Sequence, residues 1–480
     1  MIMKGEILKP LRIFLIGFLL LTLLAGLSPF REASAQMFSS YKSSVAVQNL
    51  NDDEVTITLE YYFGGEGPNA GDIAYSVTGE TLDAFGVAEY AALPLPSFEG
   101  SLVISSDKPI GAVSVLNGDN KGRGMYTGSS SGSTKVVLPF MMNNWGVSGW
   151  NTFFSVQNVG TATATVNIDY ARCPGLIDDT VTIEPNAMKI VDQAAEPCLS
   201  NQGRVITSAT LTSDQPIAVV VSQESKIVKS ALVSNGYSVG SPYPVIPLVN
   251  SNNPTPKDWR TAIAMFNLDP VESTTVTLQY VRKDGFICEE TRAIAPNSST
   301  EFGGNAFILG SPSLTCPKGV RFIGAAYVTF NSNEVDLVAT VNQDRGTLAS
   351  SYSSFNKEDA TSRIAFPRFV NRYGGAEDWD STFTVMNVGT DSIYVECEYI
   401  NSTYTSKLGL IEPFGVREDL PRYSLPANYF GGGVCTAYSD PGYSVIDSTA
   451  KIIGIVNTRG HGIGYNDLMM TYEAVNVPQP

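Results

Sequence analysis

The sequence holds one histidine, four tryptophans and six cysteines in 480 residues. A lone His461 excludes metal centres built on several histidines and leaves a Ser–His–Asp or Cys–His system only one position for its base. It lies in "RGHGIGYN", a Gly-rich stretch too irregular for a phosphate loop and without the helix and lysine that would follow one. There it reads as an exposed bystander. Positive charge is also scarce, with 31 Lys and Arg against 47 Asp and Glu and a net charge of −16. That balance excludes nucleic acid and anionic membrane as partners, because both require basic patches. No C-x-x-C occurs, which argues against a zinc ribbon. Past residue 27 no apolar run approaches the ~18 residues of a membrane-spanning helix, so a mature chain has no transmembrane anchor.

The one long apolar run is at the start. Lys4, Lys9 and Arg12 precede "IFLIGFLLLTLLAGL" (13–27), and "ASA" (33–35) places small residues at −3 and −1. This pattern predicts a secretory signal peptide over residues 1–35, cleaved before Gln36, and an extracellular or cell-surface location. Its removal leaves 27 basic and 45 acidic residues.

What the chain has in quantity is a repeated phrase. "YKSSVAVQN" (41–49), "WNTFFSVQN" (150–158), "WRTAIAMFN" (259–267) and "WDSTFTVMN" (379–387) each place an asparagine eight positions after an aromatic. The asparagines are 109, 109 and 120 residues apart, close to the length of one β-sandwich and far above solenoid periods. Apolar residues alternate through each phrase and through the partner strand that ends in Tyr61, Tyr170, Tyr280 or Tyr399. The phrase is therefore expected to be a buried strand and a turn, with Trp150, Trp259, Trp379 and the four tyrosines in the cores. Asparagine suits the turn because its short side chain bonds nearby backbone.

"IEP" (183–185), "IAP" (294–296) and "IEP" (411–413) each end a strand, where proline removes a ladder donor. Pro139, Pro247, Pro367 and Pro478 recur at matching points and mark the expected joints. The units are then 36–139, 140–247, 248–367 and 368–480. Short apolar linkers predict fixed orientations and a stiff rod. No long window keeps a helical period, so the fold class is all-β: four tandem antiparallel sandwiches.

Six cysteines allow fifteen pairings. Two fall in each of the last three units, which favours Cys173–Cys198, Cys288–Cys316 and Cys397–Cys435 and agrees with an oxidising exterior. The first unit has none and is expected to be the least tied down.

Catalytic constellations are not evident. Neighbouring acids such as Asp178–Asp179 and Glu289–Glu290 point to opposite faces of a strand, whereas a glycosidase needs two carboxyls converging on a cleft. Calcium at a joint is a better use of acids, and Asp258, Glu377, Asp378 and Asp380 are the candidate ligands, though no D-x-D-x-D-G loop appears. No other cofactor is expected. Tyrosines in "EYAA" (89–92) and "SSYSSF" (350–355) are candidates for surface contact with glycans.

The pattern W-x-[TS]-x-[FI]-x-[VM]-x-N with its partner strand resembles the tandem Ig-like or fibronectin-type β-sandwich proteins of bacterial surfaces. In immunoglobulin domains the Trp lies between two core cysteines, whereas here each Trp precedes both. The resemblance implies a non-enzymatic structural or adhesive protein, a subunit of a surface layer or filament whose partners are other surface proteins or copies of itself. An array of carbohydrate- or ligand-binding modules is the alternative. One detail favours assembly: ten or more residues after each joint precede Trp150, Trp259 and Trp379, but only "QMFSS" precedes Tyr41 in a trimmed chain. The first unit is thus expected to lack an N-terminal edge strand, and the tail "TYEAVNVPQP" is expected to dock there from another copy by strand exchange.

Overall fold

The computed structural model describes residues 41–91, 93–95, 97–118, 122–173, 179–225, 227–252, 259–462 and 469–478. The expected signal peptide and Asp258 lie outside the described residues. Strands dominate. The first unit holds β1 (Tyr41–Asn49), β2 (Val55–Phe63), β3 (Ile73–Leu82), β4 (Val87–Tyr90), β5 (Gly100–Ser106), β6 (Ile110–Gly118) and β7 (Arg123–Thr127). The second holds β8 (Ser133–Asn143), β9 (Asn151–Asn158), β10 (Ala164–Tyr170), β11 (Asp179–Ile183), β12 (Met188–Asp192), β13 (Val205–Ser225) and β14 (Ser230–Asn235). The third holds β15 (Val245–Ser251), β16 (Arg260–Asn267), β17 (Thr274–Arg282), β18 (Ile287–Ile294), β19 (Ser299–Gly303), β20 (Phe322–Asn331), β21 (Leu337–Arg345) and β22 (Leu348–Ser353). The fourth holds β23 (Arg363–Asn371), β24 (Asp380–Asn387), β25 (Ile393–Tyr399), β26 (Thr405–Ile411), β27 (Val416–Asp419), β28 (Tyr429–Tyr438), β29 (Ile452–Arg459), β30 (Met469–Glu473) and β31 (Val475–Asn476). No helix among the described residues is long and apolar enough to cross a membrane.

Each unit is two antiparallel sheets around one core. In the third unit β18-β17-β20-β15 faces β19-β16-β21-β22, and Leu278, Tyr280 and Ala326 of one sheet pack on Ile263, Met265 and Val341 of the other. The fourth unit repeats this order, with β31 added beside β23. In the second, the long β13 bends from one sheet into the other. In the third and fourth units the first strand pairs with the sixth and the seventh with the second, whereas immunoglobulin order is A-B-E-D against C-F-G.

The repeated asparagine closes each unit in the same way. Asn49, Asn158, Asn267 and Asn387 are fully buried. Each Oδ1 accepts from the backbone N–H two residues on, at 2.9 Å. Each Nδ2 donates to the carbonyl of Asp53, Ala162, Glu272 or Asp391, at 2.6–2.8 Å. The residue is a clamp on the turn, because an unpaired amide there would cost its full desolvation. Tyr61, Tyr170, Tyr280 and Tyr399 are buried. Trp379 is buried as well, but Trp150 and Trp259, expected in the cores, are only half-buried. Both stand just before their strands, at the mouth of the sheet, and the inward-facing series begins two residues later, at Thr152 and Thr261.

Pro139, Pro247 and Pro367 lie inside β8, β15 and β23, so each of these strands begins before the expected joint and belongs to the unit that follows. Proline cannot donate to a ladder, and the register of all three strands slips at this point. Side chains satisfy the bulged backbone: Gln223 donates to the Phe140 carbonyl, Tyr352 to that of Leu248, and Tyr472 to that of Arg368.

The units do not extend into a rod. The last strands of the four sandwiches, β7, β14, β22 and β30, pack side by side in a closed cycle, with β30 returning to β7. Asn235 Nδ2 donates to the Thr127 carbonyl at 2.8 Å, Thr127 Oγ1 donates to the Glu473 carbonyl at 2.9 Å, and Glu473 also accepts from the Ser353 N–H. On the outside, the first strands of the last three units each lie on the sheet of the next: β8 on β16 and β21, β15 on β24 and β29, and β23 on β1 and β6. The apolar outer faces of the sheets bury against neighbouring units, and that burial curves the chain into a ring.

The tail is not free for another chain. β31 pairs with β23, and Val477 is buried with Leu50 of the first unit and Ala365. Val475 occupies the place that Tyr237 and Phe355 hold beside β8 and β15, so Pro478 does not correspond to the prolines within those strands. All three expected disulfides form, and none is in the first unit.

Candidate functional site: an ionic joint between the last unit and the first

Three of the four candidate calcium ligands converge, and the loop before β24 explains how. Arg372, Gly374, Gly375 and Asp378 adopt left-handed backbone, which folds residues 372–379 into a tight loop closed by the Tyr373–Trp379 bridge. Glu377 is thereby set against the Trp379 indole, and Asp378 and Asp380 against Arg422. Asp380 Oδ1 accepts from the Arg372 N–H at 2.9 Å, which holds the loop to the strand.

Cations already meet these carboxylates. Arg422 bridges Asp378, at 2.6 Å, and Asp380, and hydrogen bonding to Asp378 pushes the guanidinium pKa up. Glu377 takes Arg123 of the first unit at 2.7 Å on one oxygen and the Trp379 indole N–H at 2.6 Å on the other. Arg123 also lies over the Trp379 ring, 5.3 Å from its centroid, a cation–π contact. Among the described residues no group of three or more His, Cys, Asp and Glu has metal-holding geometry.

His461 is part of this site. Its Nε2 lies 3.1 Å from Asp380 Oδ2, and the N–H groups of His461 and Gly462 both donate to the Glu377 carbonyl at 3.0 Å. Burial, then Arg422 and Arg459, push its pKa below the ordinary value, and Asp378 opposes them. The His461 backbone bonds to Glu377 and its ring contact with Asp380 tie the residues after β29 to the loop. The arrangement neutralises charge and fastens two units together.

Arg123 and Arg422 carry the joint, yet nothing in the sequence marks them. Arg123 lies 254 residues from Glu377 and Arg422 lies 44 from Asp378, so only the folded ring unites them. The candidate glycan tyrosines do not form one surface: Tyr352 is fully buried, and Tyr90 is half-buried. A separate cleft of ≈ 230 Å³ opens among the second, third and fourth units, lined by Tyr237, Val239, Phe355, Asn356, Asp359 and Asn476 among others.

No family model matches the chain. No curated protein matches it either. Among solved structures, the pilus backbone protein RrgB from Streptococcus pneumoniae aligns over 76% of this chain and 86% of its own, with 8% identity and a TM-score of 0.12. A likeness of that size carries no argument about fold or role.

Proposed function

We propose that the chain is an exported, non-enzymatic structural or adhesive protein of a cell surface, a rigid ring that serves as a building block in a larger assembly. Its tandem antiparallel sandwiches resemble the Ig-like class in layering, and their strand order is their own. The observation that carries the reading is the use made of the repeated residues. The asparagine clamps and the bulge-capping Gln223, Tyr352 and Tyr472 stiffen each sandwich, and the Arg123–Glu377 pair fastens the last sandwich to the first. Three disulfides support an oxidising exterior, and the acidic balance supports a solvated surface. Surface proteolysis of intact cells, with negative-stain microscopy of the released protein, tests it. Accessible protein that forms rings or ordered arrays of rings is expected, and a cytoplasmic pool would overturn the reading.

The cleft favours a second reading, a ligand-binding module. At ≈ 230 Å³ it falls below the ~300–1,000 Å³ of typical small-molecule sites, which ranks this reading second. Glycan-array binding that is lost in Asn356→Ala and Asp359→Ala would raise it to first.

A further inference from the structure

Four sandwiches in a cycle have four joints, and among the described residues three contain a strand that the fourth does not. The sheet β3-β2-β5 of the first unit stops at β5, where its counterparts continue to β8, β15 or β23. The surrounding geometry is nevertheless kept. β5 approaches β12 of the second unit just as β28 approaches β4 at the joint between the fourth unit and the first. Loop residues also join the two units, with the Gly65 N–H donating to the Met188 carbonyl at 2.8 Å and Lys189 paired with Glu66.

Burial marks the place. The four units share one register in which Gln48, Gln157, Phe266 and Met386 correspond, as do Ala46, Ser155, Ala264 and Thr384. On the neighbouring strand Gly111, Ala218, Val338 and Ile453 correspond, as do Val113, Val220, Thr340 and Ile455. Every one of these is buried in the first, third and fourth units, whereas Gln157, Ser155, Ala218 and Val220 are all half-exposed. Across the groove Ile104 is half-exposed where Leu211, Val328 and Cys435 are buried, and Leu102 is half-exposed where Ala209 and Ala326 are buried. Gln157 Nε2 is out of water with no hydrogen-bond partner among the described residues.

We propose that the groove between β5 and the β9–β13 face accepts an extended strand from another polypeptide. The partner is defined by β8 and β23, two of the three strands that fill the equivalent grooves. From its fourth residue on, β8 is buried without a break as "VVLPFMMN", and β23 is buried from its second as "IAFPRFVN". The acceptable strand is therefore about eight residues long and apolar on both faces, with a proline at the bulge and an asparagine at its end. In β8 and β23 that asparagine fixes the strand end within its own unit, as Asn143 Nδ2 donates to the Leu199 carbonyl at 3.1 Å and Asn371 Nδ2 to that of Leu425 at 2.8 Å. An added strand would pair with the open edge of β5, cover Leu102, Ile104, Ala218 and Val220, and offer a carbonyl to Gln157. A trimmed chain cannot supply it. The filled strands end eight or nine residues before the following strand begins, and a chain starting at Gln36 has five residues before Tyr41. The inference rests on the proposed export and trimming, and it names the partner of the proposed assembly.

The test uses the full chain expressed with its leader and exported, its N-terminus read by intact mass. A peptide of residues 135–143, KVVLPFMMN, carrying a soluble lysine tail, serves as probe. Saturable binding is expected, with amide exchange in β5 slowed at least tenfold and β22 unchanged. Val220→Asp, at a half-exposed position, should weaken binding at least tenfold while the circular dichroism stays native. Absence of binding, with β5 exchange unaltered, overturns the proposal. So does a protein that retains residues upstream of Gln36 and already protects β5, since its own leader segment then fills the groove. Peptide binding to a chain that is never exported sinks the surface reading and leaves the groove intact.

Discussion

At the joint between the fourth unit and the first, β23 lies over β1 and β6, and beneath it Ala46, Gln48, Gly111 and Val113 are closed off from water. At the joint between the first unit and the second, the corresponding Ser155, Gln157, Ala218 and Val220 remain half-exposed. The two joints share strand register and neighbouring contacts and differ in one strand. The unit that ends at this open edge is also the one without a disulfide. Rigidity is therefore distributed unevenly round the ring, and the region with the least internal support is the one left available.

The largest test of that contrast is truncation in the two kinds of joint. Phe366 of β23 is fully buried among Phe369 and Phe383. Phe366→Ala should cost about 3–5 kcal/mol, as core aromatic truncations do. Ile104→Ala on the open edge should cost under about 1 kcal/mol, because part of its surface is already wet. Urea unfolding followed by hydrogen exchange in each unit measures both. Equal costs would mean that the edge is closed in solution.

The asparagine clamps sharpen the comparison by being indifferent to it. Asn49, in the unit that carries the open edge, and Asn387, in the unit whose first strand fills its joint, bury the same amide against equivalent backbone partners. Alanine at either should cost about 2–3 kcal/mol, because each leaves buried backbone groups unpaired. A much smaller loss at Asn49 would show that the first unit yields locally instead of bearing the cost.

These residues also show what could be read in advance. Period-2 patterning made the sandwiches legible, since burial on one face is a local property of each strand. The clamps were legible because one residue recurs at a fixed offset, and the short N-terminal lead of the first unit could be counted directly. The ring was not. Its closure depends on the outer faces of strands such as β8 and β23, whose unbroken apolar runs look the same whether the second face meets a neighbour or nothing. The ionic joint was half legible: acids near a joint suggested a cation between units, but the cation that meets Glu377 is Arg123, 254 residues away. Trp150 and Trp259 misled because their parity matches the core while their position lies beyond the strand, where Trp379 is buried only with Arg123 of the first unit over its ring.

That joint gives a smaller effect. Arg123→Ala removes a partly buried charged pair and a ring contact, and should cost about 1–2 kcal/mol, felt first as faster exchange in β7 and β31. Because Glu377, Asp378 and Asp380 already face Arg123, Arg422 and His461, a chelator should leave the melting temperature unchanged. A drop on chelation would place a divalent cation at the joint and revise its chemistry.

The smallest expected effect is the dependence on pH through His461, the only histidine. Burial and two arginines lower its pKa in the folded ring below the ordinary 6.5 of the unfolded chain. Above that value neither state binds the proton and the full stability is present. As pH falls through 6.5 the unfolded chain protonates first, so stability is lost until the lower folded value is passed. The side chain is 39% exposed, so solvent screening keeps the loss small. Urea midpoints measured between pH 7.5 and 5.5 should fall slightly more for the native chain than for His461→Gln, with the gap between the two curves constant above pH 7. A native midpoint that rises on acidification relative to the variant would mean that attraction to Asp380 outweighs burial and both arginines, and the joint would then tighten in acid.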